Sequence, residues 1–145
     1  DVELTVKASE ELLKKVSDFD FIITPEAKSI PIAYEMARQS GKPYIVARKG
    51  VKVYMRNPLD VSVTSITTKT EQHLYLGESE VEMIKGKRVL IVDDVISTGE
   101  SLLAIEALVK QAGGITVGKA TVLAEGDAKD RDDIIFLEPL PVFPK

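Results

Sequence analysis

Two hydrophobic patterns alternate along this chain: short continuous apolar runs, and stretches in which apolar residues recur three and four positions apart. The first periodic stretch is Leu12, Leu13 and Val16, with Ser9 as the expected N-cap and Glu10 and Glu11 in the first turn. Residues 19–24 (FDFIIT) predict a buried strand and residues 25–29 a turn. Ile32, Ala33, Met36 and Ala37 then predict a helix, with Pro31 in its opening turn and Gly41 just past its end. A second strand is expected over 42–47 (KPYIVA). Residues 51–76 break the alternation. VKVYM and VSVTSI are strand-like, TTKTEQH is polar, and the lack of a helical period predicts a β-ribbon with a mobile polar tip, suited to a lid.

Residues 78–84 predict a short acidic helix ended by Gly86. The run VLIV at 89–92 is long enough for a strand buried on both faces, and it stops at Asp93 and Asp94. A helix is expected from Leu102 through Ile105, Leu108, Val109 and Ala112, closing at Gly113 and Gly114. Residues 115–123 and 133–137 read as strands, and the proline-rich end EPLPVFPK as irregular. Strands alternating with helices predict an α/β fold, a doubly wound parallel sheet with right-handed crossovers.

Composition narrows the function. At 145 residues, 44% hydrophobic and 29% charged, the chain reads as one ordinary globular domain, 1–145. It has no run of ~18 apolar residues and no signal-peptide pattern, so a cytoplasmic protein is expected. Cysteine is absent and His73 is the single histidine, which argues against disulfides, thiolate sites and a histidine-built metal centre. The net charge of −4 argues against nonspecific nucleic-acid binding, but residues 36–70 carry seven basic side chains against one acid, Asp60. A basic segment on an acidic chain predicts a site for an anionic ligand.

The candidate chemistry centres on residues 89–101, VLIVDDVISTGES. Ser97, Thr98, Gly99 and Ser101 lie between a strand and a helix start, where backbone N–H groups and the helix dipole can converge on a phosphate. Two acids beside such a nest would repel the ligand unless they accept hydrogen bonds from neutral hydroxyls. A phosphorylated ribose satisfies both halves. Receiver domains also place paired acids after an apolar strand, but they need roughly 100 further residues and only 44 follow Ser101. A purely structural strand-turn-helix has no use for both acids and three hydroxyls.

This motif resembles the phosphoribosyl pyrophosphate (PRPP) signature of the type I phosphoribosyltransferases. The resemblance implies that Asp93 and Asp94 hold the ribose 2′ and 3′ hydroxyls while Ser97, Thr98, Gly99, Glu100 and Ser101 cradle the 5′-phosphate. The turn PEAKSIP resembles the pyrophosphate loop of adenine phosphoribosyltransferases and their relatives, which assigns Ala27 and Lys28 to pyrophosphate. The basic pair Arg48 and Lys49 takes the same role by resemblance. VTSITTKTEQHLYL resembles the flexible catalytic loop of xanthine phosphoribosyltransferases and purine-repressor-type PRPP domains, with Lys69 closing over pyrophosphate. The Glu-Tyr-Gly motif common in adenine phosphoribosyltransferases is absent from it. Glu125 and Asp127 fall where the family borders the purine and are base-binding candidates; a polar turn is the plainer reading. His73 reads as a surface or packing residue.

The resemblance implies a purine phosphoribosyltransferase of purine salvage, adenine slightly preferred. Asp93, Asp94 and Lys69 would act in catalysis, Mg²⁺ would be bound mainly through PRPP, with no metal site in the protein itself, and the enzyme would be a homodimer without nucleic-acid or membrane partners. The alternatives are a PRPP-binding regulatory domain without turnover and a nucleotide-binding structural subunit. Because the chain begins at Asp1 in mid-pattern, it is expected to lack part of the N-terminal hood that selects the base.

Overall fold

The computed structural model describes residues 2–50, 55, 57–64, 71–96, 100–124 and 135–139. In chain order these form α1 (Val2–Lys15), β1 (Phe21–Pro25), α2 (Ile30–Ser40), β2 (Tyr44–Ala47), β3 (Leu59–Thr64), β4 (Glu71–Leu76) and α3 (Glu78–Ile84). They continue with β5 (Arg88–Ile96), α4 (Glu100–Gln111), β6 (Ile115–Ala124) and β7 (Ile135–Pro139). Five strands make a parallel sheet in the order β2-β1-β5-β6-β7. The chain winds outward from the sheet's middle in both directions, so the strand order reverses between β1 and β5.

Strand alternation explains why the central runs are apolar throughout. Ile23, Ile45, Val89 and Ile91 face α3, α4 and the ribbon residues Leu74 and Leu76. Ile22, Leu90, Val92 and Ala120 face the other way, onto Leu12 of α1 and Ala33 and Met36 of α2. Helices therefore cover both faces, as the doubly wound expectation required. β3 and β4 form the antiparallel ribbon, with Leu59 opposite Leu76 and Thr64 opposite Glu71. Its root is joined to the end of β2 by Arg48 and Tyr75, whose backbones exchange hydrogen bonds of 3.0 and 2.8 Å. Residues 67–70 of the expected mobile tip, and most of VKVYM, lie outside the described residues, whereas Glu71, Gln72 and His73, expected in that tip, belong to the paired strand β4.

Helix ends follow the glycines. Gly41 caps α2 at φ 74°, its N–H returning to Ala37 O, and Gly86 and Gly113 also adopt positive φ after α3 and α4. Several boundaries differ from expectation, most by one or two residues. Ser9 does not cap α1: the helix starts at Val2 and Ser9 is buried within it, its hydroxyl 3.5 Å from Ile32 O on α2. The strand β5 does not stop at the acids but continues through them to Ile96, because β6 keeps pairing it as far as Ala124. The last strand runs two residues further than expected, into Glu138 and Pro139. Among the described residues no helix is long and apolar enough to cross a membrane.

Candidate active site

In an open parallel sheet the crevice beyond the carboxyl ends of the strands, where the strand order reverses, is the place where a ligand meets several turns at once. Here that crevice lies between β1 and β5. Their pairing runs only to Ile23 opposite Ile91, so β5 beyond Ile91 has no partner in the β1 ladder. The Thr24 hydroxyl spans the gap, donating to Val92 O at 2.8 Å and meeting Ser29 Oγ at 2.6 Å. Ser29 Oγ also lies 3.1 Å from Pro25 O. The turn before α2 is thereby fastened to β5 one residue ahead of the acids.

Asp93 and Asp94 occupy the next two positions of β5, and Asp93 is 9% exposed. The Asp94 N–H donates to Asp93 Oδ1 at 2.8 Å, and Thr121 of β6 donates its hydroxyl to Asp94 O at 2.7 Å. Burial first, then the neighbouring Asp94 side chain, push the Asp93 carboxyl up to about 7. The Lys49 charge, from the turn after β2, pulls in the opposite direction, which puts that ammonium within electrostatic reach of the acids.

The turns after β1 and β2 lie side by side because the strands are paired to their ends, Pro25 opposite Ala47. The Glu26 N–H extends this ladder to Ala47 O at 3.0 Å. Its side chain reaches across, with Oε1 accepting the Lys49 N–H at 3.0 Å and Oε2 lying 3.8 Å from Arg48 Nη1. The peptide bond between Glu26 and Ala27 is cis. Lys28 is exposed in this same turn, which runs into α2 with Ser29 at its N-cap.

The structure thus brings Ala27, Lys28, Arg48 and Lys49 together in adjoining turns, next to the stretch of β5 that carries Asp93 and Asp94. Glu100 and Ser101 open α4, the next described element after β5. Lys69, Ser97, Thr98, Gly99, Glu125 and Asp127 lie outside the described residues. Thr24, Glu26, Ser29 and Thr121 were not picked out from sequence; the available signal was a polar residue at the end of an apolar run, which is ambiguous until the strands are in register. Among the described residues no three His, Asp or Glu side chains converge on a metal position. Two adjacent carboxylates do suit a hard cation that takes its remaining ligands from phosphate and water.

A phosphoribosyl transferase domain model matches residues 2–141. The chain belongs to the phosphoribosyltransferase family. It is 37% identical over 115 residues to the hypoxanthine/guanine phosphoribosyltransferase of Methanococcus voltae, covering 79% of this chain and 58% of that one. To the adenine phosphoribosyltransferase of Thermotoga petrophila it is 34% identical over 122 residues, covering 84% and 64%. The chain therefore spans about three fifths of the length of these relatives. The crystal structure of adenine phosphoribosyltransferase from Thermoanaerobacter pseudethanolicus superposes with a TM-score of 0.77 at 25% identity, over 95% of this chain and 79% of that one. The α/β architecture is that of the family's type I members.

Proposed function

We propose that this phosphoribosyltransferase chain transfers 5-phosphoribose from PRPP to a purine nitrogen with release of pyrophosphate, adenine being slightly preferred among the bases. The observation that carries the reading is the acid pair of β5 at the sheet's reversal point, next to the basic turns that end β1 and β2, with Lys49 in electrostatic reach of Asp93. Relatives bearing both adenine and hypoxanthine/guanine names support a purine and leave the base to experiment.

Departure of pyrophosphate leaves an oxocarbenium-like ribose, so the protein has to hold the sugar, stabilise its positive charge and neutralise the leaving group. Asp93 and Asp94 accept the ribose hydroxyls and face the developing cation. Lys28, Arg48 and Lys49 take the pyrophosphate, with Lys69 closing from the ribbon tip and residues 97–101 cradling the 5′-phosphate. Glu125 and Asp127 border the base. Mg²⁺ would be held mainly through PRPP and would supply further neutralisation of pyrophosphate. A cytoplasmic homodimer in purine salvage completes the reading.

The test is calorimetric titration with PRPP and Mg²⁺, followed by adenine, hypoxanthine, guanine and xanthine with pyrophosphate release monitored. Binding with release from one base establishes the enzyme and its substrate. Binding without release from any base gives a PRPP-sensing domain instead, and no binding removes the site.

A further inference from the structure

Three features converge on Glu26, a residue that the chemistry above leaves without a part. It stands in the turn after β1, yet its carboxylate lies on the turn after β2, taking the Lys49 N–H at 3.0 Å and facing Arg48 at 3.8 Å. The backbone of Arg48 is in turn paired with Tyr75 at the root of the ribbon. Arg48 Nε is sealed from solvent with no hydrogen-bond acceptor among the described residues. A contact of 3.8 Å is an electrostatic hold rather than a hydrogen bond. Arg48 is therefore held in place by Glu26 while its side chain stays 29% exposed, so the hold does not shut it away from an anionic substrate.

We infer that Glu26 is a positioning residue for pyrophosphate: its carboxylate locks the turn carrying Lys28 to the turn carrying Arg48 and Lys49, so that three cations meet the polyanion as one preorganised cluster. The inference rests on the phosphoribosyl-transfer reading and deepens it. Two independent turns would each lose conformational freedom when the ligand bound, whereas turns already fixed to one another have less to lose. The lock has a second contact behind it, since Thr24 and Ser29 fasten the first turn to β5. Glu26 thus extends a hydrogen-bonded connection from the acid strand, across both basic turns, to the root of the ribbon. Negative charge beside an anion site would otherwise be a handicap, and it is tolerable here because Arg48 faces the carboxylate.

The experiment compares wild type, Glu26→Gln and Glu26→Ala in the full chain by calorimetric titration with pyrophosphate and with PRPP in Mg²⁺, together with steady-state kinetics and thermal unfolding. Glu26→Ala, which loses both contacts, should weaken pyrophosphate and PRPP about tenfold, the scale of a lost hydrogen bond to a charged group. Glu26→Gln retains an oxygen for the Lys49 N–H and should fall between the two. KM for the purine base should not move, which separates positioning of the pyrophosphate turns from a general loss of structure. Unchanged pyrophosphate and PRPP affinity in folded Glu26→Ala overturns the inference. Tighter binding in either variant also overturns it, by making the carboxylate a competitor for the anion site. Should Glu26→Ala fail to fold, Glu26→Gln decides: wild-type affinity refutes the lock and weakened affinity upholds it. Wild type that binds neither ligand overturns the phosphoribosyl-transfer reading itself, whereas wild-type binding with indifferent variants overturns the lock alone.

Discussion

Asp93 is held above the usual carboxylate range, and that shift has a signed consequence. The folded chain binds its proton more tightly than the unfolded chain does, so this group's contribution to stability is fully present below about pH 4 and is lost as pH rises to about 7. Asp93→Asn should remove this dependence and stabilise the fold at pH 8 by roughly 1–3 kcal/mol, with little change at pH 4. Urea unfolding at the two pH values measures it. In the double variant Asp93→Asn with Asp94→Asn, PRPP affinity should fall by about 100-fold or more while the fold persists; a folded double variant with unchanged affinity would contradict the ribose assignment. The acids, Lys28, Arg48 and Lys49 were legible in the sequence because a charged residue ending an apolar run advertises its chemistry. Glu26 and Thr24 were not. Their roles depend on partners 23 and 68 residues away, which only strand register brings within reach.

The elements were legible where a local rule decides them. Gly41, Gly86 and Gly113 mark helix ends because each takes a positive φ there. The start of α1 escaped because Ser9 in front of Glu10 and Glu11 has the look of an N-cap. Ala8, Ser9 and Leu12 instead form the buried stripe of one longer helix, in which a small hydroxyl against α2 is accepted. The ribbon was legible as a ribbon, but its seating was not. Leu76 is fully buried in the cluster formed with α4 and the central strands, so it anchors β4 to the core. Leu76→Ala should cost about 2–5 kcal/mol in denaturant unfolding. Because Tyr75 pairs with Arg48, the same variant should also weaken pyrophosphate binding. Affinity unchanged despite lost stability would uncouple the ribbon's root from the site.

In the molecule as a whole, the two ends of the sheet have different work. At the amino end, Arg88 clasps Asp20 through Nη2 at 2.9 Å and Nε at 3.2 Å, joining the entries to β1 and β5. The Arg88 hydrogen bonds hold the Asp20 carboxyl well below the usual carboxylate range. Its contribution is therefore present above about pH 4 and lost as pH falls below it, opposite in sign to that of Asp93. Asp20→Asn should make the chain less stable at pH 7 and flatten its loss of stability in acid, as read from unfolding midpoints across pH 2–7. The carboxyl end carries the acid pair, on β5. Val89 and Ile91 face α4 while Leu90 and Val92 face α1 and α2, and alternation sends the two acids to opposite sides in the same order. A slip of one residue, about 3.3 Å along the strand, would exchange those sides and turn the core pattern inside out at the same time. Misfolding and misplacement of the acid pair are then a single error, and the core's preference for one register serves as proofreading for the candidate site.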